Sequence, residues 1–128
     1  MAKSFSMESL NAAQRRAVQT LQGPVLILAG AGTGKTRTVT CRIAHMVDRG
    51  ISPKSILAVT FTNKAALEMR ERVGQMVDRK AARQIMVSTF HSLCVRILRE
   101  DIGRLGYKTN FTIYSGSEQS GLIRRLIV

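Results

Sequence analysis

Three glycines at alternate positions, followed by Lys-Thr, constrain this chain more than any other stretch. The segment reads Ala29-Gly30-Ala31-Gly32-Thr33-Gly34-Lys35-Thr36. It follows the apolar run Val25-Leu26-Ile27-Leu28 and precedes a stretch in which Val39, Ile43, Met46 and Val47 recur at helical spacing. The usual phosphate-loop pattern is Gly, four residues, then Gly-Lys-Ser/Thr; Ala29 takes the first glycine position and the rest fits. Glycine reaches backbone dihedrals closed to other residues, so the N–H groups of such a loop can turn inward around anionic oxygens. A helix beginning near Lys35 adds the positive end of its dipole. Lys35 places an ammonium between the outer phosphates. The Thr36 hydroxyl suits magnesium, a hard cation that takes oxygen ligands. The expectation is a site for a nucleoside triphosphate, ATP with Mg2+, over residues 29–36. A glycine turn that binds nothing has no need of Lys-Thr at a strand-to-helix junction.

The rest of the chain supplies the frame. Asn11 is a good N-cap for a helix over Ala12 to Leu21, which Gly23-Pro24 ends. Val25 to Leu28 reads as a strand buried on both faces, and Ile56 to Phe61 as a second. Asn63 can cap a third helix lined by Ala66, Met69, Val73 and Met76, with Glu68 and Arg72 paired one turn apart. Ile85 to Thr89 reads as a third strand and Phe111 to Tyr114 as a fourth. A helix runs from Ser92 to about Arg104, and Leu122, Ile123, Leu126 and Ile127 sketch a last one. Alternating strands and helices imply an α/β fold, a mostly parallel sheet flanked by helices on both faces. The last apolar face runs to Val128 with nothing after it to cover it, which reads as the front part of a longer protein.

Charge and composition narrow the partners. Lys and Arg total 20 against 8 acids, a formal charge of +12, which favours a polyanion. The longest apolar run, Val25 to Ala29, is too short to cross a bilayer, and Met1 to Ser6 lacks the apolar stretch of a secretory signal. The expectation is a cytoplasmic protein with no membrane partner. Cys41 and Cys94 have no neighbours at metal-ligand spacing and read as two buried thiols.

Four segments now stand in order: Leu10-Asn11-x-x-Gln14, then Ala29 to Thr36, then Thr60-Phe61-Thr62-Asn63-Lys64-Ala65-Ala66, then Thr89-Phe90-His91. Together they closely resemble the UvrD/Rep/PcrA family of superfamily 1 DNA helicases, over most of the chain. That family also carries alanine where Ala29 sits. The resemblance implies a phosphate-loop NTPase fold of the RecA-like kind. It implies that Gln14 recognises adenine through an amide that both donates and accepts, and that Arg37 lies near the nucleotide. Lys35 and Thr36 become the catalytic residues, with Thr36 on the metal. Phe61, Thr62, Asn63 and His91 match positions lining a single-stranded DNA path, where an aromatic stacks on a base and polar groups bond phosphate or sugar. Taken without the resemblance, Gln14 reads as a solvated helix residue. Phe61 reads equally as core packing, and His91 as a capping or buried neutral histidine.

Hydrolysis in such enzymes needs an acidic pair after a hydrophobic strand. The eight acids are Glu8, Asp48, Glu68, Glu71, Asp78, Glu100, Asp101 and Glu118, and none closes a buried strand. By resemblance, residues 1–114 are the N-terminal part of the first motor domain, incomplete at its C-terminus, and 115–128 begin an inserted accessory subdomain. The chain is expected to bind ATP, to touch single-stranded DNA, and to depend on the remaining helicase domains of its parent for activity. Two other readings compete: a small phosphate-loop phosphotransferase, and a nucleic-acid-binding module without enzymatic activity.

Overall fold

A computed structural model describes residues 6–30 and 32–127; Ala31 of the expected phosphate loop and the terminal Val128 lie outside them. The chain divides into two units, Met1–Ser92 and Leu93–Val128.

In the first unit, a short 3-10 turn, Met7–Ser9, leads into α1, Ala12–Gln19. Asn11 caps α1 reciprocally: its Oδ1 accepts from the Gln14 N–H at 2.9 Å, and the Gln14 Oε1 accepts from the Asn11 N–H at 3.1 Å. The helix stops two residues short of Leu21, where the Thr20 hydroxyl donates to the Arg16 carbonyl at 2.8 Å and Thr20 turns extended. The second helix, α2, covers Lys35–Asp48 and buries Thr38, Thr40, Cys41, Ile43, Ala44 and His45. Burial raises the Cys41 thiol above its ordinary pKa, against the lowering pull of Arg37, so it stays protonated and unreactive.

The sheet has two parallel strands, β1 (Leu57–Thr60) and β2 (Met86–Thr89), with Ala58 beside Val87 and Thr60 beside Thr89. Between them come α3 (Asn63–Met76) and a short α4 (Arg79–Gln84) that the sequence pattern did not reveal. Six residues are too few for a periodicity to stand out; the readable signal is Asp78, whose carboxylate accepts from the Lys80 and Ala81 N–H groups. The cap of α3 is Thr62 rather than Asn63. Thr62 is extended and its hydroxyl accepts from the Ala65 N–H at 3.1 Å, which leaves Asn63 in the first turn.

Two expected strands do not form. Val25–Leu28 has no backbone hydrogen bond to a neighbouring strand among the described residues, and Leu26 and Leu28 are 83% and 87% exposed. An apolar run becomes a strand only when another strand completes its ladder. The sheet is therefore narrower than expected, and its Leu57 pleat is 51% exposed rather than covered. The core lies on the other pleat. Ala58 and Val87 pack there with Ile43 and Ala44 of α2, Ala66, Met69 and Val73 of α3, and Ala81 of α4. A smaller cluster joins Leu10, Val18 and Cys41.

The helix α5, Phe90–Asp101, begins in the first unit and continues into the second, where a 3-10 turn (Ile102–Leu105) and Gly106 in the left-handed region end it. In the second unit, Phe111–Tyr114 is irregular instead of a strand. The Arg99 guanidinium sits 4.5 Å over the Phe111 ring and donates to the Thr109 carbonyl at 2.9 Å, which ties this segment to α5. A final helix, α6 (Gly116–Leu126), is capped by a Ser115–Glu118 box, and those hydrogen bonds to Ser115 hold the Glu118 carboxyl below its ordinary pKa. Cys94 is exposed, not buried as expected. Among the described residues no helix is long and apolar enough to cross a membrane.

Val73 is 1% exposed at the centre of the larger cluster. Val73→Ala is expected to lower stability by about 2 kcal/mol, from lost burial plus an imperfectly closed cavity. Urea unfolding should show a lower midpoint at unchanged slope. Leu67→Ala, at a residue 52% exposed on the same helix, should shift stability by less than about 0.5 kcal/mol.

Candidate functional site

The loop between Ile27 and α2 turns on two glycines with positive φ, Gly32 at 75° and Gly34 at 85°. Gly34 is the N-cap of α2 and has no side chain to cap with. The first backbone hydrogen bond of the helix runs from the Thr38 N–H to the Gly34 carbonyl at 2.9 Å. Among the described residues the N–H groups of Lys35, Thr36 and Arg37 have no backbone acceptor, an arrangement that draws anionic oxygens. The Thr38 hydroxyl also donates to the Gly34 carbonyl, at 3.1 Å, and tightens this turn from below.

The side chains around the loop brace it. The Lys35 ammonium reaches back to donate to the Ala29 and Gly30 carbonyls at 3.0 and 2.8 Å. The Thr33 hydroxyl donates to the Gly30 carbonyl at 2.7 Å. Gln14 comes in from α1 and donates to the Thr33 carbonyl at 3.0 Å. Its amide thus touches both the α1 cap and the loop, and it is not a free solvated residue. Gln14, Ala29, Gly30, Thr33 and Lys35 line one pocket of about 240 Å³ with Asn11, Ala17 and Thr38. Thr36 and Arg37 are exposed on the first turn of α2. The Thr36 hydroxyl is a hard oxygen of the kind that could serve as one ligand of a magnesium ion. Gly30, Gly32 and Gly34 are all in the loop; Ala31 is not described.

The other residues singled out in the sequence gather at the C-terminal ends of the two strands. Thr60 and Thr89 are register partners, so Phe61 and Phe90 leave the sheet side by side. Their ring centroids are 5.3 Å apart at an interplanar angle of 53°. Phe61 is 86% exposed and is not core packing; Phe90 is 47% exposed. Asn63, Lys64 and His91 are exposed around this pair. His91 is neither buried nor a cap, since the cap of α5 is Thr89, whose hydroxyl accepts from the Ser92 N–H at 3.2 Å. The Thr62 hydroxyl is engaged in capping α3. Phe90 is the residue that sequence reading passed over. Its signal was available: two strands ending in Thr-Phe, paired in parallel, bring both rings to one place.

The family description "UvrD/REP helicase N-terminal domain" matches residues 10–128. A protein of Leuconostoc citreum named ATP-dependent DNA helicase PcrA is 56% identical over 119 residues, 92% of this chain and 16% of its own length. Proteins of the same name from Staphylococcus epidermidis and Staphylococcus aureus are 50% identical over 122 residues, 94% of this chain and 17% of theirs. The chain thus spans about one sixth of the length of these relatives.

A Cβ added at Gly34 would fall 3.1 Å from the Gln14 Nε2, on top of the strain of its positive φ; one added at Gly30 would meet only the Thr33 methyl at 3.7 Å. Gly34→Ala is expected to destabilise the chain by about 1–2 kcal/mol, the cost of holding a side chain in the left-handed region. Gly30→Ala should stay within about 0.5 kcal/mol. Thermal unfolding of the two variants side by side distinguishes them.

Proposed function

The chain belongs to the UvrD/REP helicase N-terminal domain family, and on that premise we propose that it forms the ATP-binding part of an ATP-dependent helicase acting on single-stranded DNA. The observation that carries this reading is the open first turn of α2, backed by the Lys35 ammonium and braced from α1 by Gln14. A triphosphate tail takes the outward N–H groups of Lys35, Thr36 and Arg37, with Gly32 and Gly34 letting the loop wrap it. Lys35 leaves the Ala29 and Gly30 carbonyls for the outer phosphate oxygens. Thr36 would hold a magnesium ion from this chain's side, and that ion would supply charge neutralisation to the phosphates. Gln14 stands where its amide can reach an adenine edge while keeping its bond to Thr33. Arg37 adds positive charge at the rim.

We assign residues 1–114 to the N-terminal part of a RecA-like motor domain and 115–128 to the start of an accessory subdomain. In this reading Val25–Leu28 is a strand that gains its hydrogen-bonding neighbour from the rest of the protein. Among the described residues of the first unit no acid is hydrogen-bonded to the loop, and none of the chain's acids closes a buried strand, so in this reading hydrolysis and unwinding depend on the other domains. DNA contact falls to Phe61 and Phe90 as stacking surfaces, with Asn63, Lys64 and His91 on the backbone and Thr62 held mainly as a helix cap. We place this activity in the cytoplasm, where DNA and ATP meet. A phosphotransferase acting on a small acceptor leaves the exposed aromatic pair without a role, and a module without nucleotide leaves Lys35 and Thr36 without one.

The test of the nucleotide site is Lys35→Ala. Affinity for a fluorescent ATP analogue with magnesium should fall about tenfold to a hundredfold, the worth of a charge-assisted hydrogen bond, with the melting temperature little changed. Equal affinity in both proteins would refute the site. For the DNA surface, Phe61→Ala should weaken oligothymidine binding by about 1–3 kcal/mol. Phe90→Ala should weaken it less, and the double variant should show a coupling of about 0.5–1.5 kcal/mol between the rings. Strict additivity would mean the rings act separately.

A further inference from the structure

The phosphate loop and the aromatic pair leave much of the +12 charge unexplained. Many of the basic side chains are engaged locally. Arg15, Arg42 and Arg70 donate to the carbonyls of Leu10, Ala17 and Val87. Arg72, Arg96 and Arg104 pair with Glu68, Glu100 and Asp101. Four others stand together without such partners: Lys54, Arg79, Lys80 and Arg83. All four are exposed, and among the described residues none makes an ion pair.

Topology brings these four to one place. The turn Pro53–Ser55, which carries Lys54, leads directly into β1, and α4, which carries the other three, leads directly into β2. The strands are parallel neighbours, and Ile56 accepts from the Met86 N–H at 3.1 Å. The turn and α4 therefore lie side by side at the N-terminal end of the sheet and touch each other. Phe61 and Phe90 leave the opposite end. On α4, Ala81 faces the core, so Arg79, Lys80 and Arg83 face outward. Arg79 and Arg83 are one turn apart with the same sign, an arrangement that weakens a helix unless an anion lies across it. The nearest acid, Asp78, has its carboxylate bound to two backbone N–H groups as the helix cap.

We propose that Lys54, Arg79, Lys80 and Arg83 form a second nucleic-acid contact, one that takes the phosphate backbone of duplex DNA. Neither α4 nor the turn carries an aromatic residue. Bases therefore have nothing to stack on, and the contact reads charge alone. A duplex is the densest regular source of that charge, with one phosphate per about 1.7 Å of axis, and it gains more here than a single strand that relies on stacking. The chain then holds a single strand at one end of its sheet and a duplex at the other.

The test measures binding of the chain to a short blunt duplex, and to oligothymidine, by anisotropy across a salt series. The combined variant Lys54→Glu, Arg79→Glu, Lys80→Glu, Arg83→Glu should lower the slope of log affinity against log salt for the duplex by roughly three to four. Its duplex affinity should fall at least tenfold at low salt, while oligothymidine binding falls much less. Phe61→Ala should do the reverse, weakening oligothymidine and leaving the duplex slope in place. Should the glutamate variant lose its helical circular dichroism, glutamine at the same four positions carries the test, with the same change of slope. An unchanged duplex slope overturns the proposal. So does a wild-type chain that does not bind duplex, or a variant that loses binding to phosphatidylserine vesicles and keeps its binding to duplex.

Discussion

Gly34 sits in the left-handed region at φ 85° and ψ 25°, and with Gly32 at φ 75° it leads the loop into α2. The turn does three things together. It leaves the first N–H groups of α2 pointing outward, it presents its own carbonyl to Thr38, and it leaves room for the Gln14 amide at a distance where a Cβ would crowd it. The link between α1 and the loop therefore depends on a side chain that is missing. Gln14 then connects the reciprocal cap of its own helix to the carbonyl of Thr33, to which its Nε2 donates, so the start of α1 and the shape of the loop are not independent.

The parallel register of β1 and β2 plays the same organising part for the rest of the unit. Matching Thr60 with Thr89 brings two threonine-phenylalanine steps abreast and sets two helix starts next to each other, one capped by Thr62 and one by Thr89. Both caps are hydroxyls, which satisfy the helix N–H groups without adding charge near the rings. The basic turn and α4 are set at the other end by the same register. One four-residue ladder thus fixes the placement of both surfaces.

The loop and the helices were legible in the sequence because their signals are local. Glycine spacing, an asparagine cap and a 3.6-residue apolar period each need only nearby residues to act. The strands were legible only where both partners lie among the described residues. Val25–Leu28 is as apolar as Leu57–Thr60, yet only the second has a ladder, because strand formation depends on a neighbour that composition does not reveal. The cap of α3 shifted by one residue because Thr62 and Asn63 are both able to cap and the backbone decides between them. The exposure of Phe61 was open in the sequence for a similar reason: an aromatic at a strand end is buried or bare according to what packs beyond it. Phe90 needed the register itself.

The bonds from Lys35 to the Ala29 and Gly30 carbonyls bear on discrimination between ligands. The ammonium is held by the chain's own oxygens, which tie the start of the loop to the start of α2. A newcomer must outbid two neutral oxygens for that cation. An uncharged nucleoside offers it nothing better, and a single remote phosphate offers little, whereas a polyphosphate brings several negative oxygens at once. On the proposed reading of the loop, an incoming anion is therefore weighed by how much negative charge it brings to that ammonium.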